Sequence, residues 1–172
     1  MTTDRRRPVR SDTGRGRHET TETKRRLNRS QTMESSSVMM NVTTVESLRF
    51  SAKTNTGMEI ISEPSPRLGG DGVYPNPMEY FIAALGTCAA IKTRIILSKM
   101  GNMCESVAID IIGTRRPVPP EIFEKIHLSF TLSGTLDEQT VTEVIKEVLT
   151  LQCPVAVMVG KVAEITWDHR IV

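Results

Sequence analysis

Three cysteines, Cys88, Cys104 and Cys153, are the side chains best suited to chemistry in this 172-residue sequence. They form no CxxC motif and no even-numbered set, so neither a zinc ribbon nor a small disulfide-stapled secreted scaffold is predicted. The three histidines show no ligand spacing, and HExxH, Gly-rich phosphate-loop and GxSxG motifs are missing from the sequence. Chemistry therefore has to rest on thiols, and we expect neither a metal nor a cofactor.

Each cysteine also has a plain structural explanation, because a free Cys commonly packs as a small hydrophobic side chain. Cys88 lies near the twelfth position of a predicted helix, too far from its N-terminus for the helix dipole to lower the thiol pKa. A reactive Cys88 therefore needs an arginine supplied from elsewhere. Cys153 ends a predicted helix, where a side chain can point into a cleft, whereas Cys104 is expected to be incidental.

A central helix is predicted around the first of these cysteines. The preceding residues, EPSPRLGGDGVYPNP, are dense in Pro and Gly and end in a strong helix start, with Asn76 as N-cap, Pro77 at the first position and Glu79 at the third. We expect the helix to run to about Met100 and to be stopped by Gly101. Its interior, FIAALGTCAAI, is apolar almost all round, which predicts a helix covered on several sides.

The remaining elements predict an α+β fold. The segments VTTVESLRFSAK and MEIIS predict an antiparallel pair around the turn TNTG, and SVAIDIIGT and KIHLSFTLSG predict two further strands. A second helix follows Asp137 and ends near Gln152, because Pro154 disfavours helical geometry at Cys153. The segment VAEITWDH predicts a last strand. The order ββ-α-ββ-α-β segregates strands from helices, as α+β proteins do.

Charge divides the chain in two. Residues 1–32 hold ten Arg or Lys against four acids, whereas twelve basic and sixteen acidic residues follow from Met33 onward. The first segment has few apolar groups and predicts a disordered basic tail, and residues 33–172 predict a single domain. A basic arm can bind RNA or an anionic membrane. We favour a spacer, a cloning remnant or a start assigned upstream of Met33, and nucleic-acid binding is not expected.

The sequence does not predict secretion or membrane insertion. No apolar segment follows the N-terminal arginines, as a secretion signal requires. The longest uncharged apolar run, residues 80–91, is shorter than the roughly 20 residues that a membrane span needs. We therefore expect a soluble, cytoplasmic protein without a membrane partner.

Two motifs resemble those of the OsmC/Ohr family of osmotically inducible and organic-hydroperoxide-resistance proteins. The run PSPRLGGDGVYPNPMEYFIAALGTCAA, residues 64–90, has that family's loop, its NP helix start and its Cys eleven positions after the Pro, and LQCPVAV, residues 151–157, has its later CP dipeptide. The resemblance extends from about Asn41 to Val172. It implies an OsmC-like fold, with antiparallel sheets around a central buried helix, in an intertwined homodimer with active sites at the subunit interface.

The same resemblance implies a thiol-dependent peroxidase. Cys88 would attack the O–O bond of an organic hydroperoxide and become a sulfenic acid, and Cys153 would condense with it to a disulfide. A cellular dithiol, a lipoyl group in some relatives, would restore the reduced form. Arg49, from either subunit, would lower the pKa of the Cys88 thiol. In the Ohr branch a glutamate follows the NP and partners this arginine. Here that position is Met78, so Glu79 is either the helix-capping residue or the arginine's partner.

Two other functions remain open. A redox or ligand-binding protein of the same fold would hold an acyl or thiol-bearing molecule without efficient peroxide turnover, and a structural or regulatory dimer would use its basic tail to contact nucleic acid. A disulfide between Cys88 and Cys153 needs their Cα atoms within about 7 Å. A larger separation would favour the ligand-binding protein.

Overall fold

Six strands and three α-helices follow one another in the part of the chain that the structure, a computed structural model, describes: residues 37–172. The predicted basic tail, residues 1–32, lies outside the described residues. Residues Met40–Val172 form one compact unit. Its elements are β1 (Met40–Glu46), β2 (Arg49–Thr54), β3 (Glu59–Ser62), α1 (Pro77–Lys99), β4 (Met103–Arg115), β5 (Phe123–Thr135), α2 (Glu138–Glu147), α3 (Pro154–Val159) and β6 (Glu164–Ile171). The predicted α+β class is confirmed.

The first sheet has three antiparallel strands in the order β1-β2-β3, not the predicted pair. The first predicted segment is divided by a tight turn at Ser47 and Leu48, and Ser47 adopts a left-handed backbone with φ 48°. Ser47 favours turns only weakly, and no Gly, Pro or Asn lies beside it, so this turn is not predicted. The second turn lies where TNTG predicts it, with Gly57 at φ 86° and Thr54 N donating to Met58 O at 2.9 Å.

Both ends of α1 are confirmed. Asn76 Oδ1 accepts hydrogen bonds from the backbone N–H groups of Met78 and Glu79 at 2.9 and 3.2 Å. The Glu79 carboxylate in return accepts from Asn76 N at 2.7 Å, which completes a capping box. At the other end Gly101 adopts φ 81°, a left-handed conformation that favours glycine after a helix.

The packing of α1 differs from the prediction. One stripe is buried, formed by Leu85, Gly86, Ala89, Thr93 and Leu97, and it packs on β4, α2 and α3. A Cβ at Gly86 would come within 2.5 Å of Ile111 Cδ1, so the missing side chain lets the helix approach β4 closely. The opposite side is open, and Ile91 is 58% exposed. Residues 37–172 of one chain therefore cover α1 on one side only.

Among the described helices, α1 is long and apolar enough to cross a membrane by length and composition alone, with a mean hydropathy of 1.5. Core helices of soluble proteins pass the same test, so this is weak evidence. The packed stripe on α1, together with Lys92 and Arg94 in its C-terminal half, is typical of a core helix.

The second sheet has the order β4-β5-β6 and carries the core. The strand β4 pairs antiparallel with β5, as in Ile109 opposite Phe130. The strand β6 pairs parallel with β5, as in Leu128 opposite Trp167, so the expectation of antiparallel sheets is wrong here. The two helices between β5 and β6 form a crossover that returns the chain in the same direction. The predicted inward face of β5 is confirmed: Ile126, Leu128, Phe130 and Leu132 are buried.

The segment before Cys153 departs from a regular helix. The helix α2 begins after Asp137, as predicted, and continues into a π-helical turn at Val148–Gln152. Cys153 N donates to Val148 O at 2.9 Å and closes this turn. The short helix α3 is an addition to the predicted elements. Pro154 ends the preceding helix, as predicted, and it also occupies the first position of this new helix.

Candidate functional site

Two cysteines meet in the core of the described unit. Cys88, from the middle of α1, and Cys153, at the N-cap of α3, place their Sγ atoms 2.6 Å apart although they are 65 residues apart in sequence. Both are free thiols. A disulfide has an S–S distance of about 2.05 Å, so oxidation of this pair needs little movement. We refer to Cys88 and Cys153 as the thiol pair.

The two thiols differ in accessibility. Cys153 is fully buried, whereas Cys88 is half-buried. Burial, followed by the hydrogen bond to Cys88, raises the pKa of the Cys153 thiol to about 11. Cys153 therefore stays protonated at neutral pH, and Cys88 is the sulfur that a substrate can reach. A half-buried sulfur beside a fully buried one suits attack by the first and resolution by the second.

Backbone contacts fix the position of Cys153. Its Sγ accepts a hydrogen bond from Ala156 N at 3.3 Å, so the sulfur caps α3. Cys153 belongs to the buried apolar cluster, and Cys88 packs against that cluster. The thiol pair therefore lies in water-poor surroundings, where a neighbouring charge acts more strongly than in solvent.

Arg49 lies elsewhere in the chain. Its Nε and Nη2 donate to Glu63 Oε2 at 3.2 and 3.1 Å, and Nη2 also donates to Asp71 Oδ2 at 2.8 Å. Its guanidinium carbon lies 4.9 Å from the Tyr74 ring centre. We call these four residues the arginine clasp. The hydrogen bond to Glu63 is the main cause that raises the pKa of Arg49. Within residues 37–172, the ion pairs of Arg49 go to Glu46, Glu63 and Asp71, and none of its contacts is with Cys88. The sulfur of Cys88 contacts Cys153 instead.

Glu79 takes the capping role, one of the two alternatives that the sequence left open. Its carboxylate is bound to Asn76 N, and the carboxylates paired with Arg49 are Glu63, Asp71 and, at 3.6 Å, the exposed Glu46. Met78, at the position after the NP, is half-buried.

Sequence reasoning missed Glu63, the central carboxylate of the arginine clasp. It follows the end of β3, is 3% exposed, and accepts hydrogen bonds from Val73 N and Tyr74 N at 2.6 and 3.1 Å. These hydrogen bonds lower the pKa of the Glu63 carboxyl and keep it charged, and the bond from Tyr74 N has the largest effect. The sequence feature that could have indicated Glu63 is its position between a predicted strand and Pro64, ahead of a loop rich in Gly.

A cavity of about 720 Å³ lies between the first sheet and the start of α1. Its lining is mainly apolar and includes Leu48, Phe50, Ile60 and Met78, with Arg115 as the cation. Neither member of the thiol pair lines it. In one chain, therefore, this apolar cavity and the thiol pair are separate.

Cys104 lies outside the site, and the described residues hold no metal-binding cluster. Cys104 is buried at the start of β4, where burial raises the pKa of its thiol, and its Sγ contacts Ser106 O at 3.5 Å. Among residues 37–172, no group of three or more His, Cys, Asp or Glu is placed to hold a metal ion.

Comparison with known proteins identifies the family. The family model described as OsmC-like protein matches residues 69–168. Protein YhfA of Escherichia coli strain K12 is 30% identical over 129 residues, which cover 74% of this chain and 93% of YhfA. This chain therefore belongs to the OsmC-like protein family, as the sequence motifs indicated.

Solved structures agree on the fold. An OsmC-like protein from Mycoplasma pneumoniae has a TM-score of 0.70 at 14% identity, covering 81% of this chain and 99% of its own. An organic hydroperoxide resistance protein from Elizabethkingia anophelis has a TM-score of 0.64 at 13% identity, and the match covers 81% of this chain and 100% of the Elizabethkingia chain. At these identities the likeness establishes the fold alone.

Proposed function

We propose that this protein reduces organic hydroperoxides with the thiol pair. The Cys88 thiol first releases its proton, and the thiolate forms an S–O bond as the O–O bond of the hydroperoxide breaks. The alkoxide takes up that proton and leaves as the alcohol. Cys88 is thereby oxidised to a sulfenic acid. The Cys153 sulfur then forms an S–S bond with Cys88, and the sulfenic oxygen leaves as water with the Cys153 proton. A small dithiol, of the lipoyl class, reduces this disulfide by exchange and is itself oxidised to a disulfide.

The observation that carries this proposal is the contact between the two sulfurs. A buried, protonated Cys153 at 2.6 Å from a more accessible Cys88 is ready to trap a sulfenic acid before it is oxidised further. Family membership supports the same redox role. A cytoplasmic location is part of the proposal, because a pair that must be returned to thiols needs a reducing compartment.

A second copy of the chain would complete the site as an intertwined homodimer. Cys88, Ile91 and Ile95 share one side of α1 at helical spacing, and both isoleucines are exposed. The first sheet also exposes apolar side chains, such as Val42 and Phe50. Contiguous apolar surface of this kind marks an interaction site. Covering it with a second copy would allow the arginine clasp of that copy to approach Cys88 and stabilise its thiolate.

The test is consumption of cumene hydroperoxide in the presence of dihydrolipoamide. We expect turnover by the wild type and by Cys104→Ala, which removes a buried thiol outside the site, and none by Cys88→Ser. Mass analysis after one equivalent of peroxide should find a disulfide joining residues 88 and 153. Equal rates in wild type and Cys88→Ser would remove the peroxidase function.

The apolar cavity favours one alternative, a ligand-binding protein of the same fold. A space of about 720 Å³ lined by apolar side chains, with Arg115 at its edge, suits an acyl chain that ends in a carboxylate. Saturable binding of a fatty acid, together with an absence of peroxide turnover, would support that alternative.

A further inference from the structure

Among the acids of residues 37–172, Glu63 is unusual because it is both buried and hydrogen-bonded through both carboxylate oxygens. One oxygen, Oε1, accepts from Val73 N and Tyr74 N, and the other, Oε2, accepts from the Nε and Nη2 of Arg49. The four bonds join the end of β3 to the loop that leads into α1 and to the first residue of β2. A buried carboxylate with this set of donors is held in one orientation.

The same bonds orient the guanidinium. An arginine has five N–H donors in a planar fork. In Arg49, Nε and Nη2 face Glu63 and Asp71, and the ring of Tyr74 lies against the guanidinium carbon. Within residues 37–172, Nη1 makes no hydrogen bond, and its nearest carboxylate is the exposed Glu46 at 3.6 Å. The two N–H groups of Nη1 therefore remain available to an acceptor from outside the chain.

We infer that Glu63 is a positioning residue, which holds Arg49 so that its Nη1 edge faces the Cys88 sulfur of a second copy. This inference rests on the proposed function. The carboxylate at the start of α1 does not serve, because Glu79 is bound to Asn76 N and is absent from the ion pairs of Arg49. Glu63 acts through the arginine and does not touch the reacting atoms itself.

Charge and orientation predict opposite effects at Cys88. Neutralising Glu63 makes the arginine clasp more positive, and charge alone would then lower the pKa of the Cys88 thiol. Loss of orientation moves the guanidinium away from its target and raises that pKa. The sign of the change therefore separates positioning from a simple charge effect, and an unchanged pKa is the result of a purely structural role.

The test uses Glu63→Gln, which keeps an oxygen acceptor for Val73 N and Tyr74 N. Alkylation of Cys88 by iodoacetamide is followed by peptide mass analysis from pH 5 to 10, beside Glu46→Gln as a matched control on the exposed acid. We expect Glu63→Gln to raise the apparent pKa by about one unit, which slows alkylation about tenfold at pH values well below the wild-type pKa. Glu46→Gln should match the wild type.

A second variant covers the case in which Glu63→Gln does not fold. Arg49→Lys keeps the charge but loses the planar fork, so orientation predicts a raised pKa and charge alone predicts no change. A wild-type or lowered Cys88 pKa in the folded variants overturns the inference. The proposed function is tested separately. If the wild type turns over peroxide and Cys88→Ser does not, the proposed function stands even where the inference about Glu63 fails. If the wild type shows no peroxide turnover, the proposed function fails.

Discussion

On the proposed mechanism, a protein with Ser in place of Cys153 should reduce about one hydroperoxide per chain and then turn over slowly. The wild-type sulfurs lie 2.6 Å apart, so the second thiol reaches the sulfenic acid without diffusion. Well-oriented groups have effective molarities of at least about 10⁵ M, against which an external dithiol at about 1 mM is slower by about eight orders of magnitude at this step. External resolution therefore cannot sustain the wild-type rate in Cys153→Ser.

The assay is stopped-flow consumption of cumene hydroperoxide. We expect Cys153→Ser to consume about one equivalent of hydroperoxide per chain in an initial burst. Its later rate of consumption should be at least about 100-fold below that of the wild type, because resolution of the sulfenic acid becomes the slowest step. Dimedone should label Cys88 in the variant and not in the wild type. Sustained wild-type turnover by Cys153→Ser, without a dimedone adduct, would refute the reasoning that the sulfur contact serves resolution.

Three further predictions concern the site and its supports. Because only a thiolate reacts and the pKa of Cys153 is about 11, iodoacetamide should label Cys88 first and should label Cys153 only as the pH rises towards 11; equal labelling at pH 8 would contradict this. Asn76→Ala removes the cap of α1 and should lower the free energy of unfolding by about 1 kcal/mol in urea titration. In Gly70→Ala the added Cβ would lie 1.8 Å from Pro64 O, so the loop must shift, and we expect a loss of about 1–3 kcal/mol.

Features specified by local chemistry could be predicted from the sequence. The start of α1 depends on Asn76, Pro77 and Glu79, and its end depends on Gly101. Each of these residues lies beside the helix end that it determines. The turn at Ser47 and the parallel pairing of β6 could not be predicted in this way. The first lacks a turn residue with a strong preference, and the second depends on the path of the crossover.

The site divides in the same manner. The resemblance to a known family indicated Cys88 and Cys153, and the structure places them in contact. The sequence contains several acids near Arg49, and only the folded chain shows that Glu63 is buried beside it. Burial depends on contacts between distant segments, so spacing alone could not select Glu63 over Glu79.

The cap that Cys153 provides for α3 links sulfur chemistry to backbone mobility. The Ala156 amide donates to the same sulfur that would join Cys88 on oxidation. On oxidation, the protonated Cys153 thiol becomes a disulfide sulfur that is held by a new covalent bond to Cys88. The first turn of α3 would therefore be protected from solvent to a different degree in the two redox states. Deuterium uptake at the Ala156 amide should therefore report the oxidation state of the protein without any added probe.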